Sequence, residues 1–332
     1  MTTTLQTAAT GISSRSPRAR HVRWIAYGAL VSLVLTLPLF TYPPVAVDIL
    51  CWGLFAMALD ILLGYTGLLS FGHAAFWGGS AYVAGLTAIH LGGPYYVAVL
   101  AGALFAMVLA VPIGLLSVRR AGIYFAMVTL AFGQMVYFVA NRWRDLTGGE
   151  NGLQAVPKSF FGISVVETQA FYFYYSALPV LGLAAFAAWR IVHSPFGRVL
   201  VAIRDNSDRA RSLGYDVEKY KLVAFVLSAG LAGTAGGVYA ISHGFASLQE
   251  LTWQTSGKVV LITVLGGIGT LWGALAGSAV VVSLEDQLAT TGFNGTGIIL
   301  GAIFVVVVLL FRRGLFGTAL ALFERLTHRG RN

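Results

Sequence analysis

Charged residues are scarce in this chain. Of its 332 residues only 11% are charged, whereas 57% are hydrophobic, and the mean hydropathy is +0.77. Soluble domains carry roughly 25% charged residues, so the composition excludes an ordinary soluble protein. Apolar runs of about 20 residues recur along the sequence, and a helix of that length crosses a bilayer. The sequence therefore predicts an all-α integral membrane protein with several spans.

Sites for chemistry are also missing from the sequence. Cys51 is the single cysteine, which excludes an intrachain disulfide and leaves the compartment open. No cluster of histidine, cysteine and aspartate has metal-ligand spacing, and there is no G-x-x-x-x-G-K-(S/T) loop to hold a nucleotide. No strand pattern precedes Gly266-Gly267-x-Gly269, and no nucleophile elbow occurs. The sequence thus predicts no metal site, no cofactor and no enzymatic activity of this chain.

Positive charge exceeds negative charge, with 22 lysines and arginines against 13 acidic residues and a formal net charge of +9. In a soluble protein this excess indicates a nucleic-acid partner. Here the arginines cluster beside apolar runs, so the positive-inside bias of membrane proteins explains them better. We therefore expect contact with membrane lipid and no nucleic-acid partner.

The apolar runs predict about eight full spans. Residues 1–23 are predicted as a disordered cytoplasmic tail, residues 24–316 as the transmembrane domain, and residues 317–332 as a basic cytoplasmic tail. The chain then alternates between the two faces, with its amino end in the cytoplasm and Arg119-Arg120 on the same side. The predicted spans are 24–40, 45–63, 68–90, 97–118, 123–140, 171–191, 222–241 and 298–311.

The run 257–284 does not fit this scheme, because about 28 residues are too many for one ordinary span and too few for two. A single span there would put Arg312-Arg313 and the basic tail on the outer face, against the charge rule. A re-entrant hairpin broken at residues 265–269 keeps the tail in the cytoplasm and gives 8–10 membrane segments. Non-helical backbone at membrane depth is tolerated where protein buries it or a water-filled cavity meets it. The break therefore predicts a translocation pathway.

A similar polar, glycine-spaced stretch interrupts the first half at residues 64–73. Interrupted segments in both halves of a transporter point to its pathway. Asp60 and Gln134 remain open between functional and structural roles, since capping and interhelical bonding explain them equally, whereas for His73 a hydrogen-bonded structural role is the more common case. The predicted pathway residues are Gly64, Gly67, Ser70, Phe71, Gly72, His73, Gly266, Gly267 and Gly269.

Residues 193–221 form a charged, amphipathic segment. Ser194-Pro195 is a typical helix start, and Gly214 is the residue type favoured just past a helix end. Arg204 and Asp208 lie four residues apart and can pair. A solvated loop is the simpler interpretation of this composition. The apolar positions that share one helix face are Phe196, Val199, Leu200 and Ile203.

The order of residues in this segment carries a resemblance. Gly-Arg-x-Leu-x-Ala-Ile-Arg-Asp-Asn begins at Gly197, Leu-Gly follows at 213–214, and Lys-Tyr-Lys-Leu-x-Ala-Phe-Val-x-Ser-Ala begins at Lys219. This resembles the permeases of branched-chain amino acid ABC importers, and the LivM-type subunit more than the LivH-type subunit. The resemblance implies that residues 193–221 are a cytoplasmic coupling segment that docks on an ATP-binding subunit. Its implied coupling residues are Arg198, Ile203, Arg204, Asp205, Arg209, Ala210, Leu213 and Gly214.

This sequence departs from the pattern of other importer classes at one place. Those classes carry Glu-Ala-Ala ahead of the coupling glycine, whereas Arg209-Ala210-Arg211 stands here, so the acidic residue is absent. The outer loop is similar to the Thr-Gly-Gly-x-(Asn/Asp)-Gly-Leu stretch of LivM-type permeases, although a glycine-rich turn alone also explains it. The resemblance implies an outer mouth formed by Thr147, Gly148, Gly149, Asn151 and Gly152.

The resemblance implies a polytopic permease subunit of an ATP-driven importer for leucine, isoleucine and valine in the bacterial inner membrane. Its implied partners are a second LivH-type permease, two cytoplasmic ATP-binding subunits, which alone bind ATP, and a periplasmic or lipid-anchored binding protein. Sister permeases carry urea, short amides or other small polar solutes, so the cargo stays open. A secondary transporter or channel is the alternative of another class. A secondary transporter needs ionisable residues near the midplane of the membrane for ion coupling, and the spans lack them apart from Asp60 and His73.

Overall fold

The computed structural model describes residues 32, 34–91, 94–120, 122–157, 159–160, 163–164, 170–290, 301–302 and 305. The predicted tails 1–23 and 317–332 and most of the predicted spans 24–40 and 298–311 lie outside these residues. Residues 1–43 and 44–332 are two separate compact units. In the first unit, residues 34–40 are helical. The second unit carries all the predicted site residues.

Long apolar helices build the second unit, and short connections join most of them. Two-residue strands, β1 (Ser159–Phe160) and β2 (Ile163–Ser164), pair antiparallel in the loop before the sixth helix. The helices are α1 (Pro43–Leu63), α2 (Ala74–Leu91), α3 (Tyr95–Ser117), α4 (Ile123–Arg142), α5 (Arg144–Thr147), α6 (Ala170–His193), α7 (Pro195–Asp205), α8 (Ser207–Ser212), α9 (Val217–His243), α10 (Trp253–Gly266) and α11 (Gly273–Thr290).

Five of the described helices are long and apolar enough to cross a bilayer, namely α1, α3, α4, α6 and α9. The chain is therefore a multi-pass helical membrane protein, as the composition predicts. The predicted span 68–90 needs correction, because its helix begins only at Ala74. Residues 68–73 hold serine and glycine and stay non-helical. In the most apolar stretch of α1, 94% of the residues are buried within the protein, whereas in α4 the share is 22%. The helix α1 is therefore central and α4 is peripheral.

Small residues let the central helices approach closely. A Cβ atom on Gly236 of α9 would lie 2.2 Å from the carbonyl oxygen of Trp77 in α2. A Cβ atom on Gly233 would lie 2.6 Å from the side chain of Ala106 in α3. Glycines spaced along one face are typical of close helix packing in membranes. The glycine repeat of α9 therefore serves packing within this chain.

The helices α10 and α11 form an antiparallel hairpin, and residues 267–272 between them are not helical. This agrees with the helix break predicted at residues 265–269. The hairpin runs along α1, where Ser278 Oγ donates to Ile49 O (2.8 Å) near one end. At the other end the backbone N–H of Gly269 donates to Asp60 Oδ1 (2.7 Å). The tip of the hairpin thus lies beside the carboxyl end of α1.

The two ends of the helical unit differ in charge. The end that carries α7, α8 and the α3–α4 connection is the basic end, and the opposite end is the acidic end. Among the described residues, the basic end holds Arg119, Arg120, Arg190, Arg198, Arg204, Arg209, Arg211, Lys219 and Lys221 against Asp60, Asp205, Asp208, Asp216 and Glu218. The acidic end holds Asp48, Asp145, Glu150, Glu250, Glu285 and Asp286 against Arg142, Arg144 and Lys258.

Candidate functional site

The coupling segment begins as its local sequence predicts. Ser194 caps α7, because its Oγ accepts a hydrogen bond from the backbone N–H of Gly197 (3.3 Å), and Pro195 occupies the first helical position. Asn206 caps α8 in the same way, since its Oδ1 accepts from the N–H of Arg209 (2.9 Å). Gly214 follows α8 with φ of +89°, a conformation in which glycine carries no steric cost.

The coupling residues divide into an inward and an outward set. Ile203 and Ala210 are buried with Val217 in one apolar cluster, so they hold α7 and α8 against the start of α9. The outward set is exposed, and 73% of Leu213 is accessible. This face therefore presents charged side chains together with the apolar side chain of Leu213. The exposed predicted residues are Arg198, Arg204, Asp205, Arg209, Leu213 and Gly214.

Arg204 does not form the pair that its spacing predicts. Its guanidinium contacts the neighbouring Asp205 (3.1 Å), whereas Asp208 pairs with Arg211 (3.3 Å). A second nitrogen of Arg204, Nη1, donates to the carbonyl oxygen of Gly64. The last carbonyl groups of a helix have no partner within it, and Gly64 directly follows α1. The arginine therefore satisfies a helix end and contacts the adjacent Asp205 in place of Asp208.

Gly64 belongs to a cluster that we name the inner junction, formed by Asp60, Gly64, Tyr65, Arg204 and Gly269. Asp60 accepts from the N–H of Gly269, and the hydroxyl of Tyr65 donates to the carbonyl oxygen of Gly269 (3.0 Å). A Cβ atom on Gly64 would lie 2.4 Å from Asp60 Oδ1 and 2.6 Å from Gly269 N. Both interrupted segments of the sequence thus meet here, together with the coupling segment.

The other predicted pathway residues of the first half lie in packed surroundings. His73 is fully buried, and its Nε2 is 2.8 Å from Ser228 Oγ on α9. A Cβ atom on Gly72 would lie 2.1 Å from the carbonyl oxygen of Thr129 on α4. The N–H of Phe71 donates to Thr129 Oγ1 (3.3 Å). In this structure these residues join helices, and their place in a pathway stays a prediction.

The remaining predicted pathway residues differ in their surroundings. Ser70 is fully buried, whereas Gly67 is exposed and would bring a Cβ atom within 3.1 Å of Arg204 Cγ. In the hairpin, Gly266 packs on Gly273, and Gly267 ends α10 with φ of +114°. The structure thus brings Gly67 and the two hairpin glycines to the inner junction or beside it.

The predicted outer mouth is a compact loop at the acidic end. The hydroxyl of Thr147 donates to the carbonyl oxygen of Ala140 (2.6 Å) and closes the turn. The glycines at 148, 149 and 152 all have positive φ. Leu153 and Ala246 exchange two backbone hydrogen bonds (2.8 and 2.9 Å), which fixes the loop on the segment after α9. Asn151 is exposed on this loop.

Sequence reasoning missed a cavity at the acidic end. It has a volume of about 690 Å³ and opens between α1, α2, α9 and the hairpin. The missed signal is a set of ionisable residues in an otherwise apolar chain, with Lys258 and Glu285 in the hairpin and Glu250 just before it. The lining residues are Trp52, Trp77, Tyr239, Phe245, Ser247, Gln249, Glu250, Thr252, Gln254, Thr255, Lys258, Leu261, Val281 and Glu285.

The cavity combines aromatic rings with charges. The ring centroids of Trp52 and Trp77 are 5.1 Å apart, and Lys258 Nζ lies 4.0 Å above the Trp52 ring while pairing with Glu285. Glu250 is 9% exposed, and its Oε2 accepts from the indole N–H of Trp77 (3.0 Å). Burial raises the pKa of Glu250 to about 7, and the Trp77 hydrogen bond opposes this shift. In the described part of the chain, no group of three or more His, Cys, Asp and Glu side chains can hold a metal ion.

Comparison with known proteins finds relatives among transport permeases. The chain is 28% identical over 281 residues to the high-affinity branched-chain amino acid transport system permease protein LivM of Escherichia coli K12, and equally to LivM of Salmonella typhimurium. These alignments cover 78% of this chain and 66% of each relative, so the chain spans slightly less than two thirds of their length. It is also 32% identical over 162 residues to the autoinducer 2 import system permease protein LsrC of Salmonella typhi, covering 47% of this chain and 43% of that one.

No solved structure matches the chain significantly. The family model described as "Branched-chain amino acid transport system / permease component" matches residues 44–309, which is most of the chain and nearly all of its second unit. The coupling segment, the inner junction and the cavity all fall inside the matched region. The resemblance drawn from the sequence is thereby confirmed, and the chain belongs to the family of branched-chain amino acid transport permeases.

Proposed function

We propose that this chain is the LivM-type permease subunit of an ATP-driven ABC importer that carries branched-chain amino acids across the bacterial inner membrane. Membership of the permease family supports transport as the activity. The observation that carries the coupling part of the proposal is the inner junction. Through Arg204 it connects an exposed helix at the basic end with both the carboxyl end of α1 and the hairpin tip.

The inner junction suggests how a motion enters the transmembrane helices. A ligand shifts a conformational equilibrium only if it binds the two states differently. ATP-binding subunits that close on the exposed face of α7 and α8 satisfy this condition, because they contact these helices differently when open and closed. The buried Ile203–Ala210–Val217 cluster then moves α7 and α8 with the start of α9. Arg204 passes the same displacement to Gly64, and Asp60 and Tyr65 pass it to the hairpin.

The charge difference between the ends supports an orientation. Positively charged connections stay on the cytoplasmic side of membrane proteins, so we propose that the basic end faces the cytoplasm. One of the two ATP-binding subunits then docks on this chain at Arg198, Arg209, Leu213 and Gly214. A binding protein in the periplasm or on a lipid anchor delivers cargo to the acidic end, beside the loop of Thr147–Gly152. A second LivH-type permease completes the pathway.

The choice of cargo rests on the relatives. The LivM proteins are named for branched-chain amino acids and align over 78% of this chain, whereas LsrC is named for autoinducer 2 and aligns over 47%. The longer alignment favours leucine, isoleucine and valine. The existence of LsrC shows that cargo differs among similar permeases, so urea, short amides and other small solutes are alternative outcomes of the test.

The test is purification of the tagged chain from its native membrane in mild detergent, with identification of the bound proteins. Recovery of a second permease and an ATP-binding protein, followed by ATP-dependent leucine uptake in liposomes, is the expected result. ATP-driven uptake of urea or an amide without leucine uptake would contradict branched-chain amino acids as the cargo. Solute transport by the chain alone, without ATP, would overturn the ATP-driven mechanism in favour of a secondary transporter.

A further inference from the structure

The cavity at the acidic end has the size and walls of a small-molecule site. Its volume of about 690 Å³ lies in the range of about 300–1,000 Å³ that is usual for ligand pockets. Such pockets are mostly apolar, with a few polar groups that orient the ligand. Trp52, Trp77, Tyr239 and Phe245 form the aromatic part of this wall. The hydrophobic residues Leu261 and Val281 extend it on the hairpin.

The aromatic wall suits a positively charged group. The ring centroids of Trp77 and Tyr239 are 5.1 Å apart, and those of Trp52 and Tyr239 are 6.5 Å apart in an edge arrangement. Ring faces attract ammonium groups, and tryptophan attracts them most strongly. The chain provides its own example, because the ammonium group of Lys258 already lies 4.0 Å from the Trp52 ring centroid. The neighbouring rings of Trp77 and Tyr239 extend the same wall.

Glu250 adds an acidic group for which the described residues supply no basic partner. Its carboxylate is buried, and Trp77 Nε1 is its hydrogen-bond donor. Within the described ranges, no lysine, arginine or histidine nitrogen lies within ion-pair distance of Glu250. A buried carboxylate without a cation is costly. An ammonium group from a ligand in the cavity supplies the missing counter-charge.

Lys258 gives the cavity a positive charge that is still open to a ligand. It pairs with Glu285 across the hairpin, and 25% of its side chain remains accessible. A lysine ammonium has three donors, so it can keep Glu285 and the Trp52 ring and still donate to a further carboxylate. Ser247, Thr252 and Thr255 add hydroxyl groups to the same wall.

We infer that this cavity binds a free α-amino acid as a zwitterion, with its ammonium group at Glu250 and the aromatic wall and its carboxylate at Lys258. The inference rests on the proposed function and narrows its cargo. An uncharged urea or amide would leave Glu250 without a counter-charge, and a simple organic acid would meet two carboxylates for one lysine. An aliphatic side chain of the amino acid packs on the aromatic and hydrophobic residues.

The experiment is equilibrium binding of labelled L-leucine to the purified full chain with its co-purifying subunits, without the binding protein. Competitors are 4-methylpentanoate, which is leucine without its ammonium group, 3-methylbutylamine, which lacks the carboxylate, and urea. One variant is Glu250→Gln, in which the amide oxygen still accepts from Trp77. The other is the double variant Lys258→Gln, Glu285→Gln, which leaves no charge of the pair unpartnered. Asp286→Asn is the control, because Asp286 is the exposed neighbour of Glu285 on α11 and does not line the cavity.

We expect Glu250→Gln to lower the affinity for leucine and for 3-methylbutylamine by about tenfold or more, which is the effect of one lost charged hydrogen bond. The affinity for 4-methylpentanoate should not fall in this variant. The double variant should have a lower affinity for leucine and 4-methylpentanoate and an unchanged affinity for 3-methylbutylamine. Asp286→Asn should bind all ligands like the wild type. A general loss of structure would lower the affinity for every ligand. Opposite selectivity in the two variants therefore reports the two charged groups themselves.

The outcomes separate this inference from the proposed function. Leucine uptake driven by ATP, together with unchanged leucine binding in both cavity variants, would overturn the cavity assignment and leave the importer intact. Absence of saturable leucine binding by a wild-type complex that imports leucine would do the same. ATP-driven uptake of urea without any leucine uptake would overturn the cargo itself.

Discussion

The guanidinium of Arg204 donates a hydrogen bond to the carbonyl oxygen of Gly64, a residue 140 positions earlier in the chain. Arg204 belongs to an amphipathic helix with an exposed face, whereas Gly64 directly follows α1, the most buried of the five helices long and apolar enough to span a membrane. The contact is therefore a direct mechanical connection between a surface suited to a partner and the centre of the transmembrane unit. Its removal should separate events at the surface from events in the helices.

Arg204→Gln tests this connection. Glutamine is shorter and uncharged, so it loses the charge-assisted bond to Gly64. We expect ATP hydrolysis by the assembled importer to persist and leucine uptake to fall about tenfold, the effect of one such bond. Uptake and hydrolysis are measured on the same proteoliposomes. Arg120→Gln is the control, because Arg120 is also exposed at the basic end and lies outside the inner junction. Equal uptake in both variants would contradict a role for the contact.

Asp60 tests whether the hairpin tip depends on a hydrogen bond or on a charge. Asp60 Oδ1 accepts from Gly269 N–H at 2.7 Å. Asp60→Asn keeps an oxygen in that place, whereas Asp60→Ala leaves the half-buried N–H of Gly269 without this partner, at a cost of about 1 kcal/mol. We expect the alanine variant to unfold at a lower temperature in detergent than the asparagine variant. Identical unfolding temperatures would show that this bond does not hold the hairpin.

Gly214→Leu tests the docking surface, and Gly122→Leu is its matched control. Both glycines have positive φ, +89° and +60°, and a Cβ atom at either would meet no other atom within 4 Å. Positive φ disfavours a leucine at either position, and neither position crowds its side chain within the chain, so a loss of uptake in Gly214→Leu alone reports the docking surface. We expect Gly214→Leu to abolish ATP-driven uptake while the chain still inserts in the membrane, and Gly122→Leu to retain it. Normal uptake by Gly214→Leu would remove the assignment of residues 198–214 as the docking segment.

Local features of this fold could be predicted because they depend on neighbouring residues. Ser194-Pro195 starts a helix wherever it stands before an amphipathic pattern, and the glycines at 266, 267 and 269 break one wherever they cluster. The apolar face of α7 also follows from spacing alone. Spacing does not decide what that face meets, and the structure turns Ile203 inward onto Val217.

Contacts between distant segments could not be predicted in this way. Local rules offered Asp208 as the partner of Arg204, because the two lie four residues apart, whereas the structure provides the carbonyl group of Gly64. The cavity is a stronger case. Trp52, Trp77 and Tyr239 lie on three helices, and only the packing of α1, α2 and α9 brings their rings together. No periodicity within one segment contains that information.

Gly236→Ala tests the close contact of α9 with α2, and Gly182→Ala is its counterpart. A Cβ atom at Gly236 would lie 2.2 Å from the backbone oxygen of Trp77, whereas nothing lies within 4 Å of one at Gly182. Overpacking costs about 1–3 kcal/mol, and alanine stabilises a helix over glycine by about 0.5–1 kcal/mol. We expect a lower unfolding temperature for Gly236→Ala and an equal or higher one for Gly182→Ala. A Gly236→Ala protein as stable as the wild type would contradict the tight packing.

Glu250 should make the stability of the protein depend on pH. Burial raises the pKa of its carboxyl from 4.5 to about 7, so the folded state binds a proton that the unfolded state has already released. The contribution of Glu250 to the free energy of unfolding is then fully present below pH 4.5 and is lost as the pH rises through 7, by about 3 kcal/mol in total. The other titratable groups that act on Glu250 or on its neighbours are Asp48, Cys51, Tyr82, Tyr239, His243, Lys258 and Glu285.

The Glu250→Gln variant isolates this one group, because the surrounding groups titrate in both proteins and only the carboxyl is missing. We expect the unfolding temperature of the wild type in detergent to fall between pH 5 and pH 8 more steeply than that of the variant. The difference should disappear at low pH, where the wild-type carboxyl is neutral like the amide. Parallel curves across the whole range would mean that the pKa of Glu250 is the same in the folded and the unfolded protein, so that its carboxyl group is charged at neutral pH. In that case a cation within the protein would have to accompany it, and the cavity would have no counter-charge left to offer a ligand.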